Sequence, residues 1–170
     1  LLVTVLASGP MAAAAAAFYL AAYFLTTLGA FGVVAVLSGG ERDADRMEDY
    51  LGLAWRRPWL AGVFTVMLFS LAGIPLTAGF VGKFYVVAAG VDSALWTVVL
   101  VLAINSVIGL FYYLRIIVAL FARSGDEPAH QATSRSGYAV LAVLTVLLVW
   151  LGIYPSPMIE LIKTTIQSLT

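Results

Sequence analysis

Ser70-Leu71-Ala72-Gly73-Ile74-Pro75-Leu76-Thr77-Ala78-Gly79-Phe80-Val81-Gly82-Lys83-Phe84-Tyr85 places one lysine in a stretch that is otherwise without charge. No charged residue occurs from Pro58 to Gly82, and the next charge after Lys83 is Asp92. An ammonium near the centre of a bilayer costs about 2.5 to 3.5 kcal/mol on insertion scales, so a lysine placed there marks an ion or proton pathway. The competing reading is snorkelling to the interface. Lys83 lies nine residues before Asp92, about 13 Å of helical rise, and a lysine stem spans only part of that distance. Ahead of the lysine, Gly73 and Pro75 interrupt the helical pattern, because proline has no N–H to donate and its ring clashes with the preceding turn. Gly79 and Gly82 extend the glycine-rich interruption. Irregular backbone at membrane depth is tolerated only where protein or water satisfies the freed groups, and transporters build ion sites at such breaks.

Length makes the same point. Residues 59–91 number 33, about 50 Å as one straight helix, against a hydrocarbon core of about 30 Å. The sequence therefore predicts two half-helices, 59–72 and 78–91, joined by an unwound link within 73–79.

The chain as a whole is 62% hydrophobic and 11% charged, with a mean hydropathy of +1.02, a composition of integral membrane proteins. There is no initiator Met and no charge before Glu41, which reads as the interior of a longer polypeptide, with 1–7 as the tail of a preceding helix. Further spans are predicted at 11–38, 94–122 and 137–154, giving an all-α bundle of four crossings with one discontinuous helix. Between them, 41–57 is a charged loop in which Met47, Tyr50 and Leu51 have the spacing of a short interfacial helix, with Trp55 and Trp59 marking the membrane boundary. The segment 123–136 is a second polar loop. At 158–169, Ile159, Ile162, Ile166 and Leu169 form an apolar stripe opposite Glu160, Lys163 and Gln167, as in a helix lying at the interface or docked on a partner.

Polar side chains within the spans are candidates for a pathway beside Lys83: Tyr23, Thr27, Thr77, Tyr85, Asn105, Tyr112, Tyr113 and Arg115. Hydrogen bonding of the Tyr and Thr groups to their own helix or to neighbouring helices is the competing account. For Arg115, eight residues from Arg123, the competing account is snorkelling. Asn105 requires a hydrogen-bond partner at mid-depth, from another helix or from pathway water. Zero cysteines and a single histidine, His130 in a polar loop, provide no iron–sulfur ligands and no paired-histidine haem site. The string ending Gly82-Lys83 has Thr77 and Phe84 where a phosphate loop needs Gly and Ser or Thr, and a net charge of zero argues against nucleic acid.

Residues 71–85, followed by Gly109-Leu110-Phe111-Tyr112-Tyr113-Leu114-Arg115, closely resemble the antiporter-like subunits of respiratory complex I, the NADH:quinone oxidoreductase. The Phe-Tyr after the lysine and the Tyr-Tyr-Leu-Arg favour the subunit N group. The resemblance covers nearly the whole chain, as the last four spans of that fold. It implies that Lys83 is the lysine of a discontinuous helix in a half-channel leading away from the cytoplasm. It implies a proton-translocating role in a bacterial inner membrane, among neighbouring antiporter-like and small membrane-arm subunits and lipid. It also implies that flavin, iron–sulfur clusters and quinone are carried by partner subunits, with no cofactor or metal on this chain. A subunit of a multisubunit cation/proton antiporter, or of the membrane arm of a membrane-bound hydrogenase, is the alternative. A purely structural scaffold would leave an intramembrane lysine beside a broken helix without a reason.

Basic residues near the span ends are unequally divided: Arg42, Arg46, Arg56, Arg57, Arg123 and Arg135 at one side, Lys163 at the other. This predicts that loops 41–57 and 123–136 are cytoplasmic and the C-terminus periplasmic. Single cysteines introduced at Ser134 and Ser93 should be labelled by an impermeant thiol reagent from opposite sides of the membrane; labelling of both from one side would overturn the four-span arrangement.

Overall fold

The computed structural model describes residues 1–7, 10–38, 43–122 and 135–168. The expectations for Arg42, for Arg123, His130 and Ser134 in the second polar loop, and for Leu169 lie outside these residues. The helices are α1 (Leu2–Leu6), α2 (Pro10–Leu37), α3 (Met47–Tyr50), α4 (Leu53–Arg56), α5 (Pro58–Ala72), α6 (Ala78–Asp92), α7 (Trp96–Phe121), α8 (Arg135–Ile153) and α9 (Ser156–Gln167).

Six successive alanines open α2, and alanine gives up least on entering a helix. Ala12, Ala15, Phe18, Ala22, Thr26 and Val33 recur at helical spacing and are buried, so mostly small side chains face inward and let neighbours approach closely. Against this face pack α6, α5 and α8. Two buried apolar clusters result. The larger joins α2, α5, the end of α7 and α8 around Leu60, Met67, Leu120 and Leu148; the smaller joins α1, α2 and α6 around Val3, Ala15 and Val86.

Three helices, Met11–Leu37, Trp96–Phe121 and Ser136–Ile153, are long and apolar enough to cross a membrane. The other two large ones, α5 and α6, have 15 residues each, about 22 Å, and each is too short alone for a core of about 30 Å. Together they form the discontinuous crossing of a polytopic bundle. The interruption is 73–77, shorter than the expected 73–79, and Gly79 and Gly82 lie inside α6. Gly73 explains where α5 stops: it is left-handed at φ 82°, and the N–H groups of Gly73 and Ile74 both donate to the carbonyl of Phe69 at 3.0 Å, the glycine-terminated helix end. Pro75 then keeps the chain from resuming, since a residue before proline is driven out of the helical region. Leu76, also at positive φ, 73°, stores strain of about 1 to 2 kcal/mol. Thr77 restarts the helix as N-cap: its Oγ1 accepts from the N–H of Phe80 at 3.3 Å and donates to the carbonyl of Ile74 at 2.7 Å.

The charged segment differs from the single interfacial helix expected. Gly52, left-handed at φ 68°, divides it into α3 and α4, and Leu51 falls in the turn. The N–H of Gly52 donates to the carbonyl of Ala119 at 3.0 Å, and Trp55 Nε1 donates to the carbonyl of Phe121 at 3.2 Å, which fastens the segment to the end of α7. Tyr50 donates to the carbonyl of Ala44 at 2.8 Å; burial, then the carboxylates of Asp49 and Asp45, push its hydroxyl above the ordinary tyrosine range and keep it a donor. At the other end, α9 docks on this chain's own α2, with Met158, Ile159 and Ile162 against the core. Lys163 and Gln167, expected opposite the apolar stripe, line the same groove as Ile159 and Ile166.

Gly73→Ala should destabilise the break by roughly 1 to 2 kcal/mol from the left-handed backbone alone, and its Cβ would also stand 2.8 Å from Lys83 Cδ. Gly62→Ala, where a Cβ meets nothing within 4 Å, is the control. Thermal stability of the purified full-length protein should fall for the first and not for the second; equal behaviour would count against the glycine termination.

Candidate functional site

The two halves of the broken helix cap each other. The last carbonyls of α5 have no partner within their own helix, and two of them are taken from across the break: Lys83 Nζ, on α6, donates to Leu71 at 2.8 Å and to Ala72 at 2.9 Å. In return Ser70, on α5, offers its Oγ to the N–H of Gly79 at 3.1 Å, one of the unpaired donors at the start of α6. The lysine therefore turns back toward the break rather than outward. A cation at a helix C-terminus gains from the helix dipole, up to about 2 kcal/mol when partly buried. Hydrogen bonds from a charged donor contribute about 1.5 to 3 kcal/mol each. Gly73 leaves the room: a Cβ there would lie 3.0 Å from Nζ. Gly79 does the same for the other contact, because a Cβ on it would collide with the backbone carbonyl of Ser70.

An ammonium has three donors, and two are committed to α5. The remaining one has the cavity that Lys83 lines, about 210 Å³ between α2, α5, α6 and α7, space for several water molecules. From α2 come Tyr19, Tyr23 and Thr26; from α5, Ser70; from α7, Leu102, Asn105, Ser106, Gly109 and Tyr113. The α7 residues 102, 106, 109 and 113 recur at helical spacing and form one face. Hydroxyls alternate with apolar groups such as Ala22, Leu71 and Leu102, and no carboxylate is among the described residues lining the cavity.

Of the residues singled out in the sequence, the cavity thus brings together Lys83, Tyr23, Asn105 and Tyr113. Asn105 gives one amide N–H to its own helix, Nδ2 donating to the carbonyl of Val101 at 2.9 Å. The others lie elsewhere. Thr77 belongs to the break as a cap. Tyr85, two residues from Lys83 and so on another face, contacts the ring of Phe18 with centroids 6.2 Å apart and lines the groove under α9. Tyr112 and Arg115 are exposed on α7, and Thr27 Oγ1 is buried with no hydrogen-bond partner among the described residues. Tyr19 and Thr26, further polar groups of the first span, join Tyr23 in the lining, and Ser70 and Ser106 are there without having been singled out as candidates. The period of α7 would have pointed to Ser106; Ser70 carries no distinguishing signal in the sequence.

A membrane bundle whose discontinuous helix closes a lysine over its own break, beside a cavity, has the architecture in which transporters build sites at broken helices. Residues 1–109 match the family described as NADH:quinone oxidoreductase/Mrp antiporter, TM, and the chain belongs to that family. Curated relatives named NADH-quinone oxidoreductase subunit N include those of Ectopseudomonas mendocina, 50% identical over 95% of this chain and 34% of its own length. Those of Nitrosospira multiformis are 52% identical over 81% and 31%, and of Chromohalobacter salexigens 48% over 96% and 36%. The chain thus spans about a third of the length of the curated relatives it matches. Among solved structures, respiratory complex I from Thermus thermophilus superposes with a TM-score of 0.73 at 32% identity, covering 89% of this chain and 36% of that one. The Mrp complex from Dietzia shares the fold at 22% identity, with a TM-score of 0.73 over 92% of this chain and 37% of that one.

The chain contains no cysteine, so adjacent positions can test the cavity. Ser106→Cys faces it, whereas Val107 is 66% exposed on the outer side of α7. The thiolate attacks a small water-soluble thiol reagent, and it forms in water and not in lipid, so in membranes Ser106→Cys should react roughly tenfold faster than Val107→Cys. The reverse order would contradict a hydrated cavity.

Proposed function

We propose that this chain is the C-terminal part of a proton-translocating membrane-arm subunit of an NADH:quinone oxidoreductase, with Lys83 in a half-channel opening toward the periplasmic side. The single observation that carries this reading is the seating of Lys83, with two donors on α5 and one left for the polar cavity. In the proposed step the third Nζ–H bond breaks, its proton passes to water in the cavity, and the electron pair stays on nitrogen. The two N–H groups bonded to Leu71 and Ala72 remain, so the break keeps its cap through the cycle. Reprotonation of Nζ restores the ammonium. Lysine suits this exchange because its protonation state responds to its surroundings, which the guanidinium of arginine does not allow.

The hydroxyls of Tyr19, Tyr23 and Tyr113 and the amide of Asn105 would order the water that receives the proton. Thr77, Tyr85, Tyr112, Thr27 and Arg115 lie outside that path. A cavity with an ammonium and no carboxylate among its described lining residues repels a metal cation, which favours proton transfer over the cation/proton antiporter reading. In this account the subunit sits in a bacterial inner membrane with 41–57 and 123–136 cytoplasmic and the C-terminus periplasmic. It packs beside neighbouring antiporter-like and small membrane-arm subunits and lipid. Flavin, iron–sulfur clusters and quinone belong to partner subunits.

In the full-length subunit within its assembled complex, Lys83→Met should lower proton-gradient formation and coupled quinone reduction together, roughly tenfold. Lys83→Arg should assemble better, since guanidinium can still donate to the α5 carbonyls, yet be impaired in proton release. Full gradient formation per NADH oxidised in assembled Lys83→Met membranes would refute the role of Lys83.

A further inference from the structure

The hydroxyls of Ser70 and Thr26 are 2% and 1% exposed as residues and lie 3.0 Å apart, joining α5 to α2 at the edge of the cavity. Their proton order can be worked out. Gly79 N–H donates to Ser70 Oγ at 3.1 Å, and Thr26 spends its only proton on the carbonyl of Ala22 at 2.6 Å. Ser70 must then donate to Thr26. The chain runs from a backbone N–H to a backbone carbonyl, two groups that neither release nor accept a proton in this range, so it is closed at both ends and cannot serve as a proton relay, although both hydroxyls border the cavity.

What the chain does fix is position. Gly79 and Lys83 are four residues apart on α6, one turn on the same face. That face meets the end of α5 twice, at Ser70 through Gly79 and at Leu71 and Ala72 through Lys83. We propose that Ser70, held by Thr26, is a positioning residue for Lys83: it pins the first turn of α6 so that the next turn brings the ammonium onto the α5 carbonyls with one donor free for the cavity. The proton role of Lys83 is the one inferred above, and this inference rests on it; the pinning itself does not.

The test uses the full-length subunit in its assembled complex. In Ser70→Ala, amide hydrogen exchange in residues 78–82 should speed up about five- to thirty-fold, as loss of a cap contact predicts, and the pH profile of proton pumping should shift. Thr26→Val, which leaves Ser70 in place without its acceptor, should move both readouts in the same direction and guards against a Ser70 variant that fails to assemble. Combined with Lys83→Met, Ser70→Ala should cause no further loss of pumping. Unchanged exchange in both variants would overturn the pinning. Faster exchange with an unaltered pH profile would overturn the positioning of Lys83. Normal pumping by Lys83→Met alone, read on its own sample, would instead count against the proton reading.

Discussion

Every backbone group freed at a helix break inside a bilayer has to find its partner within the protein, because unsatisfied groups in hydrocarbon cost several kcal/mol each. In this chain the break is supplied from its own flanks. Gly73 folds the end of α5 back on Phe69, Thr77 caps the start of α6, and the two longer reaches, Lys83 to Leu71 and Ala72 and Ser70 to Gly79, cross the gap in opposite directions. The lysine is thus a structural group of the break. It closes the end of α5, where two carbonyls and a helix dipole compensate its charge.

The surroundings fit this closure. The larger apolar cluster around Met67 and Leu60 and the smaller one around Val86 and Ala15 flank the break, and the cavity beside it is lined by hydroxyls and apolar side chains together. Small residues on α2 and α6 permit the approach: Ala22 lines the cavity itself, and a Cβ on Gly82 of α6 would meet Tyr19 Cα at 3.3 Å. A site with these groups can hold water next to the ammonium without offering a second fixed charge of either sign.

Much of this was legible in the sequence. Excess length and the Gly-Pro pair set the two half-helices to within a residue or two, and the isolated charge selected Lys83. The register of α5 against α6 was not legible, since no local pattern says that Nζ reaches back to residues 71 and 72 or that Ser70 faces Gly79. Helical geometry could have sorted some of the remaining candidates: Tyr113 shares a face with Ser106 and Gly109 whereas Tyr112 is turned about 100° away, and Tyr85 cannot share the face of Lys83. Threonine in a helix commonly bonds its own backbone, and Thr26 does bond Ala22, but the same oxygen also receives Ser70, which no local pattern foretells. The division of 41–57 at Gly52 depended on a tertiary contact with Ala119, invisible from spacing alone.

The most direct measurement of the central claim is a high-resolution structure of the complete subunit in its native membrane assembly, with ordered water visible. The account predicts Lys83 Nζ within hydrogen-bond distance of the carbonyls of Leu71 and Ala72 and of a water molecule in the cavity formed with Tyr19, Asn105 and Tyr113. A lysine extended toward the membrane interface, or one seated on the break with the cavity filled by apolar side chains and dry, would contradict it.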